Sequence, residues 1–364
     1  MWARKSDGSE DRNLLNGVRA AALAAGLAAA LVTLAAGPAH SAEIAPATAS
    51  PSVEAIGPVA APPTPAAPVS TAERAAPAAP VSAIADTSLG RLALNSARAL
   101  VVDEATGTVL LAKNAQDAAP MASLTKLLTA MVVLDARQDA DEPLTVGDED
   151  LDTLKHTYSG VPPGRTLTRA ALLERALLAS DNHAAACLAR HYPGGMNAFL
   201  GAMRQKIVAL RLTQTVVEEP TGLSPQNRSS AADLVTVLQA ASAYPQIERI
   251  TSQSRALVPN GAREGWIKNT NALVGKKGWD ILLSKTGYTN EAGRCVAMRL
   301  RAAGRTLLLV LLDSPATSLR SLDALNITRL LAGHAELTSL PSDLAPRAAS
   351  VRGKRARARA TLRA

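Results

Sequence analysis

Two short apolar runs, Ala99-Leu100-Val101-Val102 and Thr108-Val109-Leu110-Leu111, flank the polar stretch Asp103-Glu104-Ala105-Thr106-Gly107, and this layout predicts a β-hairpin. The apolar spacing changes at Ser123. From there Leu124, Leu127, Leu128, Met131 and Leu134 recur at three- and four-residue intervals, which predicts a helix. Further helices are predicted over about Thr168 to Ala179, His183 to Arg190, Met196 to Leu210 and Ser230 to Ala243. Strand-like runs return at Ile281 to Lys285, Cys295 to Leu300 and Thr306 to Leu312, followed by a helix from about Leu319 to Leu331. Strands at both ends with helices between them imply a mixed α+β fold. One antiparallel sheet is assembled from distant parts of the chain and flanked by terminal helices, with a helical lobe beside it. A site is expected in the crevice between lobe and sheet.

The ends of the chain do not carry this pattern. Residues 1–42 combine Arg4, Lys5, Arg12 and Arg19 with an Ala/Leu/Val run from Ala20 to Ala36 and the small-residue stretch Ala39-His40-Ser41-Ala42. That is the layout of a secretory signal peptide cleaved near Ser41 or Ala42; the competing reading is an uncleaved anchor. Residues 43–88 are dominated by Ala and Pro, too poor in bulky apolar side chains to offset the entropy of ordering, and read as a disordered linker. Residues 89–335 hold most of the Leu, Ile and Met and are the folded domain, leaving 336–364 as a basic, disordered tail.

Charge then needs to be placed along the chain. The net +8 would invite a nucleic-acid reading, but Arg347, Arg352, Lys354, Arg355, Arg357, Arg359 and Arg363 all lie in the tail, and aromatic residues make up only 2% of the sequence. With a near-neutral folded part and no stacking platforms, no nucleic-acid partner is expected. The tail fits either a contact with anionic envelope polymers or a membrane surface, or simply a solvated end. Cys187 and Cys295 fall in a predicted helix and strand among apolar neighbours; two buried, unpaired thiols and a bridge are both open readings. Five scattered histidines without an HExxH pairing do not suggest a metal site, and no cofactor is implied.

Three motifs carry candidate chemistry. Ser123-Leu124-Thr125-Lys126 places a hydroxyl and an amine one turn apart at a helix start. A serine hydroxyl needs a base, and Lys126 can be one only if burial or a neighbouring cation lets it lose its proton. The spacing alone arises by chance about once in a chain of this size, so a capping serine with a surface lysine is the better reading of it in isolation. Ser180-Asp181-Asn182 lies in the break between two predicted helices, where such residues also serve as caps. Read functionally, Ser180 relays a proton between Lys126 and the leaving amine, and the Asn182 amide binds substrate backbone. Lys285-Thr286-Gly287 closes an apolar strand. There Lys285 would supply a cation for a substrate carboxylate and for lowering the pKa of Lys126, Thr286 a hydroxyl, and Gly287 room for a peptide along the strand.

Ser-x-x-Lys, Ser-Asp-Asn and Lys-Thr-Gly in this order resemble the signature of penicillin-binding proteins. The sequence is similar to the D-alanyl-D-alanine carboxypeptidase and endopeptidase family, peptidase family S11, and within it to the endopeptidase branch. The residues that carry the resemblance are Ser123 to Asp135, His191-Tyr-Pro-Gly-Gly195, Glu219-Pro-Thr-Gly-Leu-Ser224, Asn269-Thr-Asn271 and Lys285-Thr-Gly-Tyr-Thr-Asn290, across most of residues 95 to 332. The resemblance implies a β-lactamase/transpeptidase-like fold, with Ser123 as nucleophile, Lys126 as base and Ser180 as a catalytic partner. Asn182, Lys285, Thr286 and Gly287 would bind substrate, and an oxyanion hole would form from the N–H groups of Ser123 and Tyr288. It implies a periplasmic hydrolase that cleaves D-alanyl to meso-diaminopimelate crosslinks in peptidoglycan and is acylated by β-lactams. Trimming of pentapeptide stems, a serine β-lactamase and a non-catalytic wall-binding scaffold are the alternatives. The resemblance accounts for neither the Ala/Pro stretch nor the basic tail.

Overall fold

A computed structural model describes residues 92–260, 263–335 and 337–344. The expected leader, linker and most of the basic tail lie outside the described residues. The segment 337–344 does not: Leu337 exchanges hydrogen bonds with the Asn326 amide, and Leu344 is buried. The described packing therefore continues past residue 335.

In chain order the strands are β1 Arg98–Asp103, β2 Val109–Lys113, β3 Ala119–Pro120, β4 Pro143–Thr145, β5 Thr166–Thr168, β6 Arg228–Ser229, β7 Arg255–Asn260, β8 Arg263–Lys268, β9 Asp280–Thr289, β10 Gly293–Ala302 and β11 Arg305–Ser314. The helices are α1 Thr125–Asp135, α2 Arg169–Glu174, α3 Asn182–Arg190, α4 Gly195–Ala209, α5 Ala231–Ala241, α6 Pro245–Thr251 and α7 Thr317–Leu331. The main sheet has the antiparallel order β2-β1-β11-β10-β9, so β1 near the start of the domain pairs with β11 near its end, Leu100 opposite Val310. β9 is an edge strand.

Period-two alternation sends the sheet's side chains to two different cores, with a register shift between Ile281 and Leu283 reversing the faces of β9 there. Leu283, Cys295, Ala297, Leu308, Val310 and Leu312 pack against the helical lobe. Ile281, Val296, Met298, Leu307, Leu309 and Leu311 pack with Ala324 and Ile327 of α7. Both faces of β11 are covered, which explains why its sequence, Leu307 to Leu312, is apolar without interruption. Truncating a fully buried residue here, such as Leu309→Ala, costs about 2–5 kcal/mol. α7 is tied to the domain's first residues by Asp323, whose carboxylate accepts from the N–H groups of Asn95 and Ser96 and from both their side chains. In the lobe, α1 is buried all round, from Thr125 to Val133, and is the axis on which the other helices pack. Cys187 and Cys295 are both buried and unpaired.

The structure departs from the expected elements in several places, the short pairs β3–β6 and β4–β5 among them. The strand expected to end at Lys285 runs on to Thr289, so the Lys-Thr-Gly motif lies inside an edge strand. The helix expected to continue to Ala179 changes at Arg175 into a π turn, which re-aims the chain before Ser180. The β7–β8 hairpin and α6 were not expected at all.

Candidate active site

Ser123 lies in a 3-10 turn, Ala122–Leu124, that leads into α1. Ala122 before it is held at φ 47°, a left-handed conformation costly for a residue with a side chain. Two glycines make the turn possible. A Cβ on Gly222, itself at φ +84°, would fall 2.0 Å from the Ala122 carbonyl oxygen, and one on Gly287 would fall 3.0 Å from the Ser123 nitrogen. The loop after Glu219 and the edge strand β9 thus press against the serine turn at points where only hydrogen fits. Glu219 fixes that loop, its carboxylate accepting from the Thr221 N–H and hydroxyl and from the Gly222 N–H.

α1 carries Lys126 inward, where it is 1% exposed. Its amine donates to Ser123 Oγ at 3.0 Å, Asn182 Oδ1 at 2.6 Å and the Thr221 carbonyl at 2.6 Å, using all three protons of the ammonium form. Burial lowers its pKa from 10.5 to about 8, against the pull of the carboxylates of Glu219, Asp181 and Asp152. Ser180 occupies the break after the π turn at φ 59°, and Asp181 caps α3 by accepting from the Ala184 N–H. Lys285, also 1% exposed, donates to Ser180 Oγ at 2.8 Å and to the Thr286 carbonyl. Burial and then the charge of Lys126 hold it well below its ordinary pKa.

All the sequence-predicted site residues therefore come together, with two changes in pairing. Ser180 is bonded to Lys285, where a contact with Lys126 was expected. Asn182 spends both ends of its amide inside the protein, its Oδ1 on Lys126 and its Nδ2 donating to Thr157 Oγ1 at 2.7 Å. The depressed pKa of Lys126 is due first to burial, a cause that does not require Lys285 to carry a charge.

Ser123, Ser180, Asn182, Thr286, Gly287 and Tyr288 line an open cleft of about 310 Å³, whereas the two lysines lie behind its wall. Thr286 donates its hydroxyl hydrogen to Thr270. Also facing the cleft are Arg294 of β10 and Arg320 of α7, which the motifs did not point to. Arg320 is 4% exposed and is held by the Cys295 carbonyl. A hydroxyl beside a partly neutral amine, a second hydroxyl backed by a second amine, and a buried cation across the cleft can together acylate a serine and hold an anionic substrate.

The comparisons with known proteins agree with this geometry. Residues 85–316 match peptidase family S11, D-alanyl-D-alanine carboxypeptidase. The chain is 40% identical over 253 residues to a D-alanyl-D-alanine endopeptidase of Pseudomonas aeruginosa, covering 68% of this chain and 81% of that protein. It is likewise 40% identical over 232 residues to a D-alanyl-D-alanine endopeptidase of Escherichia coli, covering 63% and 75%. A solved D-alanyl-D-alanine carboxypeptidase of Mycobacterium tuberculosis is 29% identical and superposes with a TM-score of 0.59 over 72% of this chain and 98% of that one. With the motifs converging in one cleft and the match spanning most of the folded part, the chain belongs to the D-alanyl-D-alanine carboxypeptidase family of serine peptidases, S11.

Proposed function

We propose that this protein is a D-alanyl-D-alanine endopeptidase that hydrolyses D-alanyl to meso-diaminopimelate crosslinks in peptidoglycan through an acyl-enzyme on Ser123. Neutral Lys126 takes the proton of Ser123 as its oxygen adds to the D-alanyl carbonyl. The oxyanion settles between the backbone N–H groups of Ser123 and Tyr288. Ser180, whose oxygen is occupied by the Lys285 donor, gives its own hydrogen to the departing nitrogen, and Lys285 replaces it. The C–N bond breaks, leaving Lys126 protonated and Lys285 neutral. Lys126 releases its proton to solvent and Lys285 regains one. Water then adds to the ester with neutral Lys126 again as base, the proton it takes passing to the Ser123 oxygen as the ester breaks. Asn182 and Thr221 hold Lys126 in place. Thr286 and Gly287 line the peptide's path along the edge of β9, and Arg320 takes the carboxylate next to the departing nitrogen.

The observation that carries this reading is the 3.0 Å contact between Ser123 Oγ and a buried amine whose pKa is about 8. The endopeptidase activity is favoured over pentapeptide trimming because both relatives at 40% identity bear that name. A β-lactamase would need a free carboxylate to activate water, and Glu219 is tied to its own loop by four donors. Export by residues 1–42 would place the enzyme in the periplasm, with 89–335 as the peptidase domain. The basic residues after Pro346 fit a loose contact with anionic envelope polymers. Labelling with a fluorescent penicillin tests the assignment. An adduct is expected on the wild type and none on Ser123→Ala, and an adduct that persists in the variant overturns it.

A further inference from the structure

Arg294 and Arg320 reach the cleft from different elements, and neither forms an ion pair among the described residues. Arg320 is anchored through one nitrogen to the Cys295 carbonyl. Arg294 is anchored differently: its guanidinium carbon stands 3.3 Å from the centroid of the Tyr288 ring, opposite it in the β9–β10 register. Stacking fixes the plane of a guanidinium and leaves its N–H edge free. The two cations also feel each other. Arg320 is lowered to about 10, chiefly by burial, with the charge of Arg294 adding to the shift. Like charges that face one cleft are costly unless something anionic arrives.

One cation already suffices for either candidate substrate at the departing nitrogen. A C-terminal D-alanine and the D-centre of diaminopimelate both carry a carboxylate on the carbon that bears this nitrogen, so Arg320 meets the same group in each. The substrates differ beyond it. The pentapeptide ends there, whereas the crosslink continues into an acidic peptide strand.

We propose that Arg294, held over the Tyr288 ring, is a second anion-binding position that takes a carboxylate of the departing strand beyond the one held by Arg320. It thereby distinguishes crosslinked peptide from pentapeptide. The inference rests on the endopeptidase reading above and names the residue that sets its specificity. Arg294 acts on binding and hydrogen-bonds to none of the groups that move protons, so its loss should appear in KM.

The test compares full-length wild type, Arg294→Ala and Arg294→Lys on purified crosslinked muropeptide dimers and pentapeptide monomers, with the rate of acylation by fluorescent penicillin as a measure of site integrity. Arg294→Ala is expected to raise KM for dimers about tenfold with kcat within about twofold, while pentapeptide cleavage and acylation stay within about twofold. Arg294→Lys should recover part of the loss, and added salt should narrow the difference between wild type and Arg294→Ala. Equal losses on both substrates and in acylation would assign Arg294 a purely structural role and overturn the proposal, as would an unchanged KM for dimers. A wild type that trims pentapeptides but leaves dimers intact overturns the endopeptidase reading itself, an outcome visible before any variant is made.

Discussion

Toward the helical lobe, β9 buries Lys285 beside Lys126, both closed off from water. On its other side it presents Thr286 and Tyr288 to an open cleft shared with Arg294 and Arg320. Each side gathers two cationic side chains, and the chemistry of each depends on which cation it has. An amine can be pushed toward neutrality by burial, and both Lys126 and Lys285 are. A guanidinium stays charged near neutral pH even when buried, as Arg320 does at about 10. The dry side can therefore move protons, and the open side can hold an anion without exchanging protons with it. One strand, by alternating its side chains, positions both functions around a single bond.

Exchanging the cations is the sharpest way to break this division. Lys285→Arg puts a group that cannot be neutralised next to Lys126 and Ser180, and acylation should fall by about a thousandfold. Arg320→Lys keeps the charge but loses the fork, and should raise KM only about tenfold with little change in the rate of penicillin acylation. Stopped-flow acylation and steady-state peptide assays read the two effects separately. If the two variants lose similar amounts in the same step, the sides of β9 are not functionally distinct.

Next in size is the serine turn that the two sides share. Gly222→Ala forces a Cβ onto the Ala122 carbonyl, and the turn must shift. Acylation is expected to fall about a hundredfold because a displacement near 1 Å is enough to misalign the nucleophile. Thermal unfolding measured alongside should show a fold destabilised by about 1–3 kcal/mol but intact, and normal acylation would mean that the close approach is not needed.

The pH dependence comes third. Acylation requires neutral Lys126, so its rate should fall about tenfold per unit below pH 8, whereas KM should stay level where Arg320 remains charged. The same shift marks stability. The folded pKa lies below the unfolded value, so the cost of burying the amine is fully present below about pH 8, shrinks as pH rises toward 10.5 and is gone above it. It amounts to about 3 kcal/mol. Urea unfolding of wild type should show stability from this group rising across that window, with the rise reduced in Lys126→Met.

How much of this could be read from the sequence follows the same division. Ser123 and Lys126 share one helix turn, and the two other motifs are contiguous, so local spacing was enough to find the dry side. The open side was not legible: Arg294 and Arg320 face one cleft only because α7 packs on the sheet against β10, and nothing in the 25 intervening positions of sequence predicts it. Gly222 was visible as part of a motif, but its purpose depends on a contact with residues a hundred positions away. The strand around Lys285 was cut short because Thr286-Gly287 interrupts the apolar run, although pairing with β10 carries it on. The β7–β8 hairpin was hidden by Pro259 and by weak alternation in Arg255–Asn260 and Arg263–Lys268.

The smallest expected effect tests where the dry side ends. Thr157 accepts from the Asn182 amide and donates to Asp152, whose other bonds pin the backbone of Leu154, Lys155 and Thr157. This chain connects an exposed loop to the base, since the other end of the Asn182 amide rests on Lys126. Thr157 is itself exposed, so in Thr157→Val a water can take over part of its role, and a single neutral hydrogen bond is worth about 1 kcal/mol. Acylation should slow about threefold to tenfold, and its pH limb should stay near 8 because burial, the main cause of that value, is untouched. A limb moved by a full unit would mean that the loop, and with it the rim of the open cleft, sets the protonation of Lys126. The two sides of β9 would then be one coupled system.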